Sequence, residues 1–130
     1  MTTEAITSTV PAPPEPDAVR IYVAGPMTGL PDYNYPAFRS AANRLRRAGF
    51  DVEDPSQNPG CSHFRWQDYM RASLPQLLRC QGVALLPGWE VSKGANIEHD
   101  LAVALGMDVR SLEAWVLRGD LRRLAAEVQA

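Results

Sequence analysis

The sequence predicts an α/β domain, a three-layer sandwich in which helices cover both faces of a parallel sheet of four to five strands. Two observations predict it. Short apolar runs alternate along the chain with longer segments whose apolar residues recur at helical spacing, the order that makes parallel crossovers. The clearest of these runs are bounded by Gly and Pro and carry no charge, as expected of strands buried on both faces. The first run is Ile21-Tyr22-Val23-Ala24, closed by Gly25-Pro26. From Pro36 to Ala48, Phe38, Ala41, Ala42 and Leu45 fall at helical spacing among arginines, and Gly49 follows as a stop. Asp51-Val52-Glu53 is a short second strand before a Pro/Asn/Gly loop over 54–60. Trp66 to Arg79 reads as helical but contains Pro75. Proline suits a first turn, so Ser73 is expected to cap a second helical segment. Gly82 to Leu86 is the third strand, Gly94 to Leu105 a helix ended by Gly106, and Asp108 to Ser111 a fourth strand. Ala114 to Leu117 is a fifth strand candidate, and Asp120 is expected to cap a last helix over Leu121 to Val128.

Composition narrows what such a domain can do. The 130 residues suit one domain. Thirteen basic and 15 acidic side chains give a net charge of −2, unlike a nucleic-acid binder working through bulk positive charge. Cys61 and Cys80 are too few for a disulfide scaffold, and with only His63 and His99 beside them no zinc site is expected. No apolar run approaches the ~20 residues of a membrane span. The N-terminus lacks a cleavable signal pattern, so a cytoplasmic protein is expected, in a bacterium or a phage-infected host. Residues 1–19 hold Pro11, Pro13, Pro14 and Pro16, no large apolar cluster and three acidic charges. They read as a disordered tail. The domain is then residues 20–130, with a net charge of +1.

In a parallel sheet ligands bind beyond the carboxyl ends of the strands. Two loops are therefore candidate site walls: Gly25-Pro26-Met27-Thr28-Gly29 after the first strand, and Pro87 to Gly94 after the third. The glycine spacing matches no nucleotide motif. Ser92-x-Gly94 opens a helix, where free N–H groups and the dipole favour an anion. Ser92 is either an ordinary helix cap or a donor to a phosphate. Glu98 follows, with Ile97, Leu101 and Ala104 on the stripe expected to be buried and Glu98 bordering it. This carboxylate is either a dipole partner or a catalytic group facing the crevice, suited to act on a sugar carbon. Tyr22 on the first strand is a core residue or a hydrogen-bond partner that orients Glu98. Trp89 is expected to stack on a base or to pack, and Trp66 and His63 to close the pocket or to pack.

Ile21 to Gly29, then Asn34 and Phe38, then Leu85-Leu86-Pro87-Gly88-Trp89-Glu90-x-Ser92-x-Gly94-Ala95-x-x-Glu98-x-x-x-Ala102-x-x-x-Gly106 resemble the nucleoside 2-deoxyribosyltransferase superfamily, nearest a branch of short proteins common in phage genomes. The resemblance runs from about Arg20 to Arg110. It implies a five-stranded flavodoxin-like fold and chemistry at the N-glycosidic bond of a deoxynucleoside or its 5′-monophosphate, without metal or organic cofactor. It implies that Glu98 is the nucleophile, that Tyr22 orients it, and that the Gly25–Gly29 loop, Asn34, Trp89, Ser92 and Gly94 bind substrate. Ser92 resembles the phosphate-binding serine of deoxynucleoside 5′-monophosphate N-hydrolases, where the transferases carry an aspartate. Two positions depart from the superfamily: Ser73 and Gln81 stand where aspartates are usual. The aspartate at the position of Ser73 helps protonate or place the base, so leaving-group help is expected to be weakened unless Asp68 substitutes. The rival readings are a base-exchanging transferase and a nucleotide-binding protein without turnover. The superfamily often completes its sites across subunits, so a homodimer or larger homo-oligomer is expected. The apolar C-terminal residues Leu121, Leu124, Ala125 and Val128 would pack on the domain or on a partner.

Overall fold

Strands Arg20–Ala24 (β1), Asp51–Glu53 (β2), Gly82–Leu85 (β3) and Asp108–Ser111 (β4) form one sheet in the order β2-β1-β3-β4. All three pairings are parallel. This computed structural model of the chain describes residues 19–58 and 65–129. The tail expected before residue 19, together with Cys61 and His63, lies outside the described residues. Val19, placed in that tail by sequence, instead packs against the core, and its carbonyl accepts from the Asp51 N–H.

Each crossover carries a helix: Tyr35–Arg47 (α1), Trp66–Leu78 (α2) and Lys93–Ala104 (α3), followed by Leu112–Gln129 (α4). Strand side chains alternate between the faces of the sheet, and β1 uses both. Ile21 and Val23 join Phe38, Leu45, Phe50 and Trp115 in the core under α1 and α4. Tyr22 and Ala24 join Leu77, Val83 and Ala102 in the core under α2 and α3. The result is the expected three-layer, flavodoxin-like α/β fold. β2 lies on one side of β1 and β3 on the other, so the chain reverses direction across the sheet between β1 and β3. That switch point is where the ligand crevice of an open α/β sheet forms.

Three local expectations are corrected. Ala114 to Leu117 is not a strand and Asp120 is not a cap, because both lie inside α4. Four apolar residues cannot by themselves distinguish strand from helix. Here the helical face wins: Leu112, Trp115 and Gly119 are buried, and the Trp115 Nε1–H donates to the Val83 carbonyl at 2.8 Å. Ser111 supplies the cap, its Oγ accepting from the Ala114 N–H at 3.1 Å, while Asp120 pairs with Arg123 one turn on. Ser73 caps nothing either, since α2 runs unbroken through Pro75. Arg71 and Pro75 are both exposed, so water can satisfy the Arg71 carbonyl that loses its N–H partner. At the far end of α4, Leu121, Leu124 and Val128 are exposed and do not pack on the domain. No helix among the described residues is long and apolar enough to cross a membrane.

Candidate active site

Two joined chambers open at the carboxyl ends of β1 and β3. The inner one, about 210 Å³, has Glu98 in its wall, with Gly25, Met27, Thr28 and Ala95 and the rings of Tyr33, Tyr35, Trp66 and Tyr69. The outer one, about 830 Å³, runs past Pro26, Asn34, Gln67, Gly88 and Lys93 toward solvent. Met27, Thr28, Trp66, Ser92 and Gly94 border both. The outer chamber is larger, but the inner one holds Glu98, whose ionisation burial shifts, and is where chemistry is sought.

Glu98 reaches it because of what lies beside it on α3. The buried residues of that helix are Gly94, Ala95, Glu98 and Ala102. Three small residues let the helix come close to β1 and α2 and carry the carboxylate inward. A Cβ on Gly94 would stand 3.1 Å from the Met70 Sδ of α2. Gly25 serves the same close packing below, where a Cβ would lie 2.8 Å from that of Leu86. The stripe expected to be buried is the wrong one: Ile97 is 39% exposed, and Ala104 also faces outward. Glu98 does not border the buried face but sits in it, 4% exposed.

Its partners make a polar cluster in an otherwise dry wall. The Tyr22 hydroxyl donates to Glu98 Oε2, and the Ser73 hydroxyl, fully buried on α2, donates to the Met70 carbonyl at 3.4 Å. Burial pushes Glu98 up from 4.5 to about 7, against the downward pull of the neighbouring Tyr22 and Ser73 hydroxyls. Tyr22 is pushed well above its ordinary value, first by burial and then by the Glu98 charge, so it remains a donor. Near neutrality the cluster thus offers a carboxylate poised between its two states, with a phenol fixing its orientation.

The model of the DUF4406 family, a domain of unknown function, matches residues 19–111. The chain belongs to the DUF4406 family. No curated protein matches it. The DUF4406 segment takes in all four strands and the first three helices, so every chamber residue named above lies within it.

Within that DUF4406 segment the structure brings most of the expected residues together. Tyr22 meets Glu98 as anticipated. Gly25, Pro26, Met27, Thr28, Asn34, Ser92 and Gly94 line the chambers, and Gly29 makes the adjoining turn at φ +82°. Ser92 is the N-cap of α3, its Oγ accepting from the Ala95 N–H at 3.1 Å. A hydroxyl that accepts in this way keeps a hydrogen to donate. Asn34 ties back to the loop that follows β1, its side-chain amide donating to the Pro26 carbonyl at 3.0 Å.

Trp89 is not brought in. Its ring stacks on His99 at 4.5 Å, outside both chambers, because the turn Trp89–Val91 rotates it toward the outer side of α3. Asp68 is also absent from the walls and pairs with Arg65 at 3.3 Å. Ser73 lines neither chamber. Gln81 stands at the opposite end of β3, its Oε1 accepting from the Arg20 N–H.

Five contributors escaped the sequence. Tyr33, Tyr35 and Tyr69 follow no period that would mark them as neighbours. Tyr33, 47% exposed, borders the inner chamber from a run of three successive left-handed residues, Asp32, Tyr33 and Asn34, at φ between 52° and 60°. Such backbone costs ~1–2 kcal/mol per non-glycine residue, and strain of this kind gathers at ligand sites. Asn96 bridges to the carbonyls of Trp89, Glu90 and Ser92 and braces the outer loop. Lys93, first residue of α3, lies over the Trp66 ring at 4.3 Å and places a cation at the mouth of the outer chamber. Among the described residues no cluster of His, Cys, Asp and Glu could hold a metal ion.

Proposed function

We propose that this chain cleaves the N-glycosidic bond of a deoxynucleoside 5′-monophosphate, with Glu98 as nucleophile. The observation that carries the reading is the buried Glu98 carboxylate, held by Tyr22 in the wall of a ligand-sized chamber at the sheet's switch point. The resemblance to the nucleoside 2-deoxyribosyltransferase superfamily supplies the substrate class.

In this reaction a Glu98 oxygen forms a bond to the anomeric carbon while the carbon–nitrogen bond breaks. The electron pair leaves on the base nitrogen, which takes a proton from solvent. Water then splits the glycosyl ester, its oxygen going to the anomeric carbon and its proton to bulk. The products are the free base, 2-deoxyribose 5-phosphate and regenerated Glu98. The start of α3, with Ser92, the Gly94 N–H and Lys93, suits the 5′-phosphate, since helix N-termini favour anions. The rings of Tyr33, Tyr35, Trp66 and Tyr69 take the base-stacking role expected of Trp89.

One observation favours a second reading. Among the described residues Glu98 is the one acidic side chain in either chamber wall, so no second carboxyl stands ready to protonate the departing base. General acid help typically contributes 10²–10⁴-fold. A nucleotide-binding protein with slow turnover, or none, fits that gap.

Incubation with each deoxynucleoside 5′-monophosphate, followed by chromatography, tests the proposal. Base release by the wild-type chain and its loss in Glu98→Ala are expected. Equal release by both proteins removes Glu98 from the mechanism. Thermal stabilisation by a nucleotide without any release supports the binding protein instead. An added acceptor base separates hydrolysis, which yields free sugar phosphate, from transfer, which yields a new nucleotide.

A further inference from the structure

Helix α4 is apolar on two sides, and the domain uses one of them. Leu112, Trp115 and Gly119 are buried against it. At 3.6 residues per turn, Leu117, Leu121, Leu124 and Val128 fall on the opposite side. All four are more than half exposed. They follow one another at steps of four, three and four residues, the spacing of a seam between two helices. A single exposed leucine needs no explanation, but a continuous apolar stripe over about three turns marks a contact surface.

We infer that this stripe pairs with the same stripe of a second copy of the chain, α4 lying parallel to α4. The charges beside the stripe favour both the occupant and the direction. Glu113, Asp120 and Glu127 recur every seventh residue along one flank, and Arg118 and Ala125 lie along the other. In a parallel pair the acidic row of each helix meets the Arg118–Ala125 flank of its partner. In an antiparallel pair the two acidic rows would face each other and repel. Arg118 pairs with Asp108 of its own chain at 3.0 Å and remains exposed, so it is still open to a second carboxylate. The two-fold symmetry of such a pair sets Leu121 and Leu124 against their own counterparts.

Other occupants fit the stripe less well. Helices that lie on anionic membranes border their apolar face with Lys and Arg, whereas this one is bordered by three acids. The next two arginines of α4 are turned to the domain instead: Arg122 lies over the Phe50 ring at 5.5 Å, and Arg123 donates to the Arg47 carbonyl at 2.9 Å. Residues 1–18 offer Met1, Ile6 and Val10 as their large aliphatic side chains, too few to cover four. No residue of α4 borders either chamber, so the pairing is separate from any contact that would complete the site. The stripe also lies beyond residue 111, where the DUF4406 match ends, so membership of that family does not imply it.

Light scattering of the full chain over a concentration series tests the inference. Four side chains from each copy make a smaller interface than stable dimers have, so a monomer–dimer equilibrium is expected with a dissociation constant of ~1–100 μM. Leu121→Glu and Leu124→Glu should each raise that constant by ~30-fold or more, as loss of a central interface side chain does. Both side chains are exposed in the single chain, so circular dichroism should show both variants folded. Val103→Glu, at an equally exposed apolar position on α3, should associate as wild type does. Leu121→Cys in a Cys61→Ser background reports the direction. Parallel helices bring the two introduced thiols together, and mild oxidation should then give a covalent dimer, while Cys80 is buried and takes no part. A wild-type chain still monomeric at ~500 μM would overturn the inference, since even a weak dimer assembles there. A dimer that survives Leu121→Glu, or one dissociated equally by Val103→Glu, would do so as well. Failure of Leu121→Cys to cross-link would overturn the parallel arrangement and the inference with it. Binding of a monomeric wild type to anionic lipid vesicles, lost in Leu121→Glu, would give the stripe to a membrane instead. None of these measurements uses a substrate, so they stand whether or not the chain releases a base.

Discussion

Glu98→Gln should stabilise the folded chain at neutral and alkaline pH while abolishing base release. The carboxyl is raised from 4.5 to about 7, chiefly by burial. Its folded form therefore holds its proton more tightly than the unfolded form, which sets the sign. Below about pH 4.5 both states carry the proton and Glu98 adds no pH dependence. Between about pH 4.5 and 7 the folded state binds more protons, so stability falls as pH rises. Above about pH 7 the loss is complete and amounts to ~3 kcal/mol. Glutamine keeps the shape and accepts from Tyr22 through its carbonyl, without carrying a charge. It should recover much of that loss, raising the melting midpoint by ~10 °C at pH 8 for a domain of this size. At pH 4.5 the two proteins should melt nearly together. The assay is urea or thermal unfolding of both proteins across pH 4.5 to 8.5. A gap that stays constant over this range would refute the reasoning, as would a variant less stable than wild type at pH 8. Either result would mean that Glu98 is solvated or already paired in a way the buried cluster does not describe.

Two further predictions use the same site. Tyr22→Phe removes the donor that most lowers the Glu98 pKa, so the acid limb of kcat/KM for base release should move to higher pH, read from a pH–rate profile. An unmoved limb would show that the tyrosine does not act on the ionised form. Trp89→Ala should leave the Kd for a deoxynucleotide within about twofold, because its ring stacks on His99 outside both chambers. Trp66→Ala, which opens the wall shared by both chambers, should weaken binding by ~10-fold, in line with ~1–3 kcal/mol for a base–aromatic stack. Isothermal titration with each variant checks the pair, and the reverse ranking would return the base to Trp89.

What the sequence made legible followed local physics. Ile21 to Ala24 reads as a buried strand because four apolar residues end at Gly-Pro, and β1 lies there. Ser92 reads as a cap and is one. The Tyr22–Glu98 contact followed from topology, since adjacent parallel strand ends bring the first strand against the helix after the third. The errors came where local signals were silent or outvoted. Pro75 looked like a helix start, but on the solvent side of α2 its missing N–H leaves only a carbonyl that water can reach. Trp89 looked like a ligand platform because it follows a glycine at a strand's carboxyl end. A short turn decides which way its ring faces, and nothing in the composition of that turn records the direction.

The buried face of α3 is the most instructive of these differences, because it bears on how the site is built. Hydrophobicity points to the stripe with Ile97, Leu101 and Ala104, yet the helix buries Gly94, Ala95, Glu98 and Ala102. Large side chains would keep α3 away from α2 and β1. Small ones bring it close enough that a carboxylate, extending from the helix, meets the Tyr22 hydroxyl on β1. The same closeness excludes water, and the lost hydration raises Glu98 to about 7. Packing and reactivity are thus one feature of this helix: the glycine and alanines that make the contact tight also leave the carboxylate poised between protonated and ionised near neutral pH.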